Sequence, residues 1–169
     1  DLLLRLEEVQ LSCGTVYNLA PPTQGLASLL ILGIYDRIRQ AGWNPDNVAG
    51  IHALVEATKQ AFMLPDKHVT DPVAMQIDPA SLLGDSTLAA LAAAVPIDKA
   101  SPWPAPNSDG DTTWMGVVDG AGRAVSMIQS IYFEFGSGVV LPQTGIWWQN
   151  RGCSFDLRPN RLRSLAPGR

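Results

Sequence analysis

The chain has 169 residues, of which 46% are hydrophobic, and it carries a formal net charge of −4. This is enough sequence for one or two layers around a hydrophobic core. The acidic balance leaves no basic stripe for phosphates, which argues against a nucleic-acid partner. No apolar stretch is long enough to cross a bilayer, so no membrane partner is expected.

The candidate metal ligands lack the spacing of a metal site. Cys13 and Cys153 are expected to be buried thiols, with a disulfide as the alternative, and His52 and His68 have no third ligand. Neither a metal nor another cofactor is therefore predicted. The run LLLRLEE after Asp1 is not the hydrophobic segment of a signal peptide, so the start is interpreted as the interior of a longer protein. The sequence leaves the cellular compartment open.

The first predicted elements are a strand and a helix. The β-branched run VQLSCGTVYNLA indicates a strand over 9–20, closed by two prolines. Apolar residues at three- and four-residue steps then predict a helix over 24–41, with Thr23 as its cap and Gly42 as its stop.

Two further helices are predicted before the midpoint of the chain. A helix over 46–62 ends before Pro65, and one of its sides carries Val48, Ile51, Val55 and Phe62. Another helix is predicted over 81–95, broken near Gly84.

The second part of the chain is β-rich. Four prolines make 96–111 a loop, and 112–119 and 124–135 are predicted as antiparallel strands joined by a tight turn at 120–123. The stretch 136–150 is a glycine-punctuated loop followed by a short apolar strand. Together these patterns predict an α+β fold with helices packed on an antiparallel sheet.

Two polar motifs flank the predicted hairpin. Thr112 and Thr113 are ordinary residues for a strand that follows an Asp-Gly turn. The glycines on either side of Ser137 indicate either backbone N–H groups close to a ligand or a plain bend.

The string TTWMGVVDGAGRAVSMIQSIYFEFGSGVVLPQTGIWWQN resembles the start of the small subunit of γ-glutamyltranspeptidases and related cephalosporin acylases. The shared features include the Thr-Thr pair that opens a strand, the Phe-Gly-Ser-Gly run, Asn150 and Phe155. Upstream matches are 21–25, Glu56, Lys59, Ala61 and Asp71-Pro72, and the chain departs from the family at Leu64-Pro65. The resemblance implies one structural domain, part of the αββα sandwich of N-terminal-nucleophile hydrolases. Residues 1–111 would end the large subunit and 112–169 would begin the small subunit.

The resemblance also implies a chemistry. Family precursors cleave themselves at a bond that corresponds to Asp111–Thr112, which frees the α-amine of Thr112 to act as base for its own hydroxyl. Thr112 matches the nucleophile, Thr113 is expected to support it by hydrogen bonding, and Ser130 matches a hydroxyl that bonds the nucleophile.

The acyl-binding positions differ from those of transpeptidases. Ser154 stands where the family has an Asp that pairs with the substrate α-amine, Tyr132 replaces an Asn, and Arg151 replaces a Gln. An acyl group without an α-amine, such as glutaryl, is therefore expected on a small-molecule amide substrate. The alternative is a γ-glutamyltranspeptidase or glutathione hydrolase, with these changes as drift in a solvent-facing loop.

A third interpretation is a catalytically inert precursor or fragment. In the family, the Arg that binds the substrate carboxylate lies upstream of this stretch and the Gly-Gly oxyanion donors lie downstream. The remaining parts of the large and small subunits are therefore the expected partners, and this chain alone is expected to be nearly inert.

Overall fold

A computed structural model describes residues 5–96, 98–103 and 112–167. Its helices and antiparallel strands confirm the predicted α+β class. The chain divides into two compact units, 1–103 with 160–169 and 104–159. Within the described ranges, no helix is both long enough and apolar enough to cross a membrane.

The first unit begins with a two-stranded antiparallel hairpin, where the sequence predicts a single strand over 9–20. β1 (Leu6–Leu11) pairs with β2 (Gly14–Leu19). The single strand is wrong because the chain reverses at Ser12, whose N–H and hydroxyl donate to the Asp36 carboxylate at 2.8 and 2.5 Å. A helix residue far along the chain therefore holds the turn.

The first helix, α1 (Gly25–Gln40), confirms the prediction over 24–41. The predicted cap is wrong by one position, because Gln24 is the N-cap residue and its side chain makes no capping hydrogen bond. The Thr23 hydroxyl nevertheless accepts the N–H of Gly25 at 3.1 Å, so it serves the first turn from just outside the helix.

The second helix, α2 (Val48–Met63), agrees with the prediction over 46–62 and is capped by Asn47, which accepts the Gly50 N–H at 2.9 Å. The side that the apolar pattern singled out is largely exposed, with Val48 83% and Ile51 61% accessible. The helix instead buries small residues, which let neighbouring backbones approach closely. They are Gly50, Ala53, Ala57 and Ala61.

The core of this unit centres on α1, which contacts the hairpin, α2 and α5. The predicted break near Gly84 is confirmed, since α4 (Pro79–Leu82) and α5 (Asp85–Ala93) flank it. Leu88 of α5 packs so close to Gly33 that a Cβ there would lie 2.9 Å from the leucine side chain. The fully buried large side chains include Val9, Leu26, Leu29, Leu30, Ile34 and Leu88.

Short helical turns follow α2, namely α3 (Pro65–His68) and a 3-10 turn (Pro72–Ala74). The chain after Pro159 returns to this region. Thr70 donates its hydroxyl to the carbonyl of Leu162 at 2.7 Å, and Arg163 lies 3.3 Å from the Asp66 carboxylate. These contacts hold the late segment 160–167 on the residues that follow α2 within the first unit.

The second unit contains the predicted hairpin. β3 (Thr112–Val118) and β4 (Ala124–Ser130) are antiparallel, with Thr112 opposite Ser130. The Asp119 carboxylate accepts the N–H groups of Ala121 and Arg123 at 2.9 Å and thereby holds the turn. All residues of both strands are exposed.

The second strand ends at Ser130, five residues before the predicted end at Phe135. Tyr132 turns into the left-handed region, with φ of +80°, and the N–H of Phe133 donates to the Asn150 side chain at 3.1 Å. The short strand predicted after the glycine loop is reduced to one bridge between Val140 and Trp147.

Candidate active site

The candidate nucleophile lies at the mouth of the β3–β4 hairpin. The antiparallel register places Thr112 opposite Ser130, and the Thr112 hydroxyl donates to Ser130 Oγ at 2.9 Å. The same oxygen accepts the backbone N–H of Tyr132 at 3.0 Å. One serine hydroxyl therefore orients the threonine and also supports the turn that follows β4.

Thr113 lies apart from this pair. Its strand partner is Gln129, and successive side chains of a strand point to opposite faces. The structure thus brings Thr112 and Ser130 together and leaves Thr113 on the other face, so its supporting role stays a prediction. Asp111, the other half of the predicted cleavage site, lies outside the described residues.

A cluster of three side chains lies beside the end of β4. Its members are Tyr132, Arg151 and Ser154. The Arg151 guanidinium carbon lies 4.3 Å from the centre of the Tyr132 ring, in a cation–π contact. Ser154 donates its hydroxyl to the Tyr132 phenol oxygen at 3.2 Å. The structure therefore joins the three predicted acyl-binding residues, and Ser130 connects them to Thr112.

A 3-10 turn (Arg151–Ser154) supplies two members of this cluster. It follows Asn150, whose backbone N–H donates to the Ile131 carbonyl at 3.2 Å and whose side chain accepts the Phe133 N–H. Asn150 thus bonds the residues on both sides of Tyr132. Sequence reasoning matched Asn150 to the family but assigned it no role, because its partners lie 17 or more residues earlier in the chain.

Tyr132 is held in a backbone conformation that non-glycine residues seldom adopt. Such a conformation costs about 1–3 kcal/mol and persists where surrounding contacts enforce it. Here the Ser130 hydroxyl accepts its N–H, and Ser154, Arg151 and Phe133 contact its side chain. The ring is therefore fixed beside the end of the hairpin.

Ser137, which has a glycine on either side, lies in a bend of the loop. Its N–H and its hydroxyl both donate to the carbonyl of Trp148, each at 2.9 Å, and the N–H of Gly138 donates to Phe135 at 2.8 Å. These backbone donors are used inside the loop, which favours the plainer of the two interpretations.

The cysteines differ from expectation, because Cys13 and Cys153 are free and exposed rather than buried. Both lie in tight turns next to hydrogen-bonded polar residues, a context that composition does not reveal. Among the residues that the structure describes, no three His, Cys, Asp or Glu side chains come together in a way that could hold a metal ion.

The helices and the antiparallel hairpin that begins at Thr112 agree with the fold that the family resemblance implies. The sequence profile of the gamma-glutamyltranspeptidase family matches residues 8–169. The chain therefore belongs to the γ-glutamyltranspeptidase family of N-terminal-nucleophile hydrolases.

Individual relatives agree with this assignment. The chain is 56% identical to the oxamate amidohydrolase proenzyme of Klebsiella pneumoniae, over 92% of this chain and 29% of the relative. It is 37% identical to the glutathione hydrolase-like YwrD proenzyme of Bacillus subtilis, over 90% of this chain and 29% of the relative.

A solved structure confirms the fold. The crystal structure of cephalosporin acylase from Bacillus halodurans superposes with a TM-score of 0.73 at 34% identity, covering 98% of this chain and 30% of that chain. This chain thus spans about 30% of the length of the proteins it matches.

Proposed function

We propose that the full-length protein is an amide hydrolase whose nucleophile is Thr112, freed by self-cleavage of the Asp111–Thr112 bond. In this proposal 1–111 end the large subunit and 112–169 begin the small subunit. The observation that carries the proposal is the 2.9 Å hydrogen bond between the hydroxyls of Thr112 and Ser130 at the mouth of the hairpin.

The chemistry uses one hydroxyl twice. In the precursor, Thr112 Oγ attacks the Asp111 carbonyl, the hydroxyl proton passes to the Thr112 nitrogen as the peptide C–N bond breaks, and water hydrolyses the resulting ester. The freed α-amine can then act as the base for the hydroxyl of the same residue. In turnover it takes the hydroxyl proton while Oγ bonds the substrate carbonyl, and it passes that proton to the departing amine. Water then releases the acid from the acyl-enzyme.

The residues after β4 favour an acyl group that has a carboxylate and no α-amine. A substrate ammonium at this cluster would meet neutral Ser154 and the cation of Arg151, so it would gain no ion pair and would be repelled. A carboxylate would be attracted by the same guanidinium. Losing a charge-assisted bond costs an ammonium substrate about 1.5–3 kcal/mol.

Within this substrate class we place oxamate ahead of glutaryl amides. The relative at 56% identity is an oxamate amidohydrolase, and oxamate carries its carboxylate directly on the amide carbon. The fixed Tyr132 ring takes up space beside the hairpin, which suits a short acyl group. A γ-glutamyl substrate is the second candidate, supported by the glutathione hydrolase-like relative.

The test uses the full-length protein and three substrates: oxamate, a glutaryl anilide and a γ-glutamyl anilide. We expect cleavage between Asp111 and Thr112 by intact mass, and the highest kcat/KM with oxamate. Thr112→Ala should abolish both cleavage and hydrolysis, whereas Thr113→Ala, the matched control, should retain cleavage.

Three results would overturn all or part of this proposal. If Thr112→Ala matures normally and Thr113→Ala does not, the nucleophile is the neighbouring residue. If the γ-glutamyl anilide is strongly preferred, the acyl pocket has been misassigned and the protein is a γ-glutamyl hydrolase or transpeptidase. An uncut and inactive full-length protein would support the inert precursor instead.

A further inference from the structure

A buried ion pair in the first unit holds a single peptide unit from both sides. Glu56 and Lys59 of α2 lie 2.6 Å apart, between Oε1 and Nζ. Lys59 donates to the Ser101 carbonyl at 2.8 Å, and Glu56 Oε2 accepts the Ser101 N–H at 3.2 Å. Both backbone polar groups of Ser101 are thus bound by one charged pair.

A second tie lies one helical turn earlier. The Nε2–H of His52 donates to the Pro96 carbonyl at 2.9 Å. His52, Glu56 and Lys59 follow the i, i+4, i+7 spacing of one helix face. We call these three side chains the α2 clamp, because together they bind the chain at both Pro96 and Ser101.

The buried charges of the clamp add little net free energy of folding. Glu56 is fully buried and the Lys59 side chain is only 16% exposed. Removing two charges from water offsets most of their attraction, so a packed apolar pair is often as stabilising. What the ion pair adds is directional: it fixes the position of the backbone that it binds.

The position of that backbone in the chain is informative. Ser101 precedes the Asp111–Thr112 bond by ten residues, and the other side of that bond begins β3. The clamp is therefore the last set of described contacts before the bond proposed to be cut. Attack by a hydroxyl on a carbonyl depends steeply on geometry, since a misplacement of about 1 Å can cost about 100-fold in rate.

We propose that the α2 clamp is a positioning device for self-cleavage, which anchors the upstream end of the segment that carries the scissile bond. This inference rests on the proposed cleavage at Asp111–Thr112. The described contacts of the clamp are to Pro96 and Ser101 and not to Thr112, so its loss should slow maturation without changing the mature enzyme.

The experiment follows maturation of the full-length precursor by intact mass and gel electrophoresis. Glu56→Gln removes the charge that pairs with Lys59, and Ser101→Pro removes the N–H that Glu56 accepts while both charges stay in place. The matched control is Asp36→Asn, because Asp36 is another buried carboxylate that binds the backbone N–H of one residue, Ser12, in the turn between β1 and β2. Circular dichroism and thermal melts establish that each variant is folded.

We expect Glu56→Gln or Ser101→Pro to lengthen the half-time of cleavage about tenfold, with wild-type kcat/KM per mature molecule. Asp36→Asn should mature at the wild-type rate even if its melting temperature falls as much. Folded clamp variants that mature at the wild-type rate overturn the inference, and so does equal slowing by Asp36→Asn. Cleavage of a Thr112→Ala precursor at the same bond would instead refute the proposed nucleophile.

Discussion

One oxygen atom, the Oγ of Ser130, links the candidate nucleophile to the candidate acyl pocket. It accepts the Thr112 hydroxyl and the Tyr132 N–H, and Tyr132 in turn contacts Arg151 and Ser154. Ser154 and Arg151 therefore lie three contacts from the Thr112 hydroxyl, through Tyr132 and Ser130. In the proposed acyl pocket, the expected difference from a transpeptidase that is simplest to test is whether a carboxylate stands at position 154.

Ser154→Asp should shift the full-length enzyme toward γ-glutamyl substrates. The new carboxylate would give a substrate ammonium the ion pair that Ser154 lacks, and it would repel a substrate carboxylate. We expect the ratio of kcat/KM for γ-glutamyl over glutaryl anilide to rise about tenfold or more, since about 1.4 kcal/mol is worth tenfold. Ser164→Asp, outside the cluster, is the control. An unchanged kcat/KM ratio in the Ser154 variant would show that the side chain at position 154 does not discriminate between the two acyl groups.

At the scale of elements, two buried carboxylates tie helices to distant chain segments. Burial alone would raise the pKa of Asp36 and of Glu56. The hydrogen bonds from Ser12 and Gln40 to Asp36, and from Lys59 and Ser101 to Glu56, outweigh burial and hold each pKa below its ordinary value. Each carboxylate therefore stabilises the fold only while it is ionised.

Acid should weaken these ties. Because the folded pKa is lowered, their stabilisation is complete above the unfolded pKa near 4 and is lost as pH falls through the lower folded value. We expect the melting temperature of the full-length protein to fall below pH about 4. The double variant Asp36→Asn/Glu56→Gln should have a lower melting temperature at neutral pH, and that temperature should fall less on acidification. Glu8→Gln, an exposed carboxylate on β1, should follow the wild-type curve; an identical slope in the double variant would contradict this account.

At the scale of the whole molecule, the proposed cleavage would assign segments that contact each other to different subunits. Residues 160–167 would belong to the small subunit, yet they pack on residues of the proposed large subunit, with the Thr70 hydroxyl bonded to the Leu162 carbonyl. This contact would survive cleavage as a link between subunits. The residues of both strands of the β3–β4 hairpin are exposed, and this chain covers 30% of the matched structure.

Thr70→Val should loosen the cleaved protein. It removes a partly buried hydrogen bond and leaves the Leu162 carbonyl without that donor, at a cost of about 1 kcal/mol. We expect the subunits to separate at a lower urea concentration, measured by size-exclusion chromatography of the mature full-length protein. Arg163→Ala is the control, because the pair with Asp66 is exposed and such pairs contribute little. If Arg163→Ala lowered the urea concentration of subunit separation more than Thr70→Val did, this link would be contradicted.

The sequence alone predicted the features whose causes are local. The three- and four-residue apolar period located α1 and α2 to within two residues at each end, and the Asp119–Arg123 turn with its flanking apolar runs located the β3–β4 hairpin. The family resemblance rested on the same contiguous stretch. That resemblance also predicted Thr112 and Ser130 as catalytic residues and three positions of the acyl pocket, since a motif preserves spacing along the chain.

Only the tertiary structure decided the features that depend on distant partners. The strand expected over 9–20 is a hairpin because Asp36 binds its turn, and β4 stops at Ser130 because Ser130 and Asn150 hold the residues after it. The apolar period of α2 pointed to its exposed side because alanines, which carry little hydrophobic signal, make the close contact with α1. Local patterns record the period of an element, whereas its boundaries and its buried face are chosen by competition among long-range contacts.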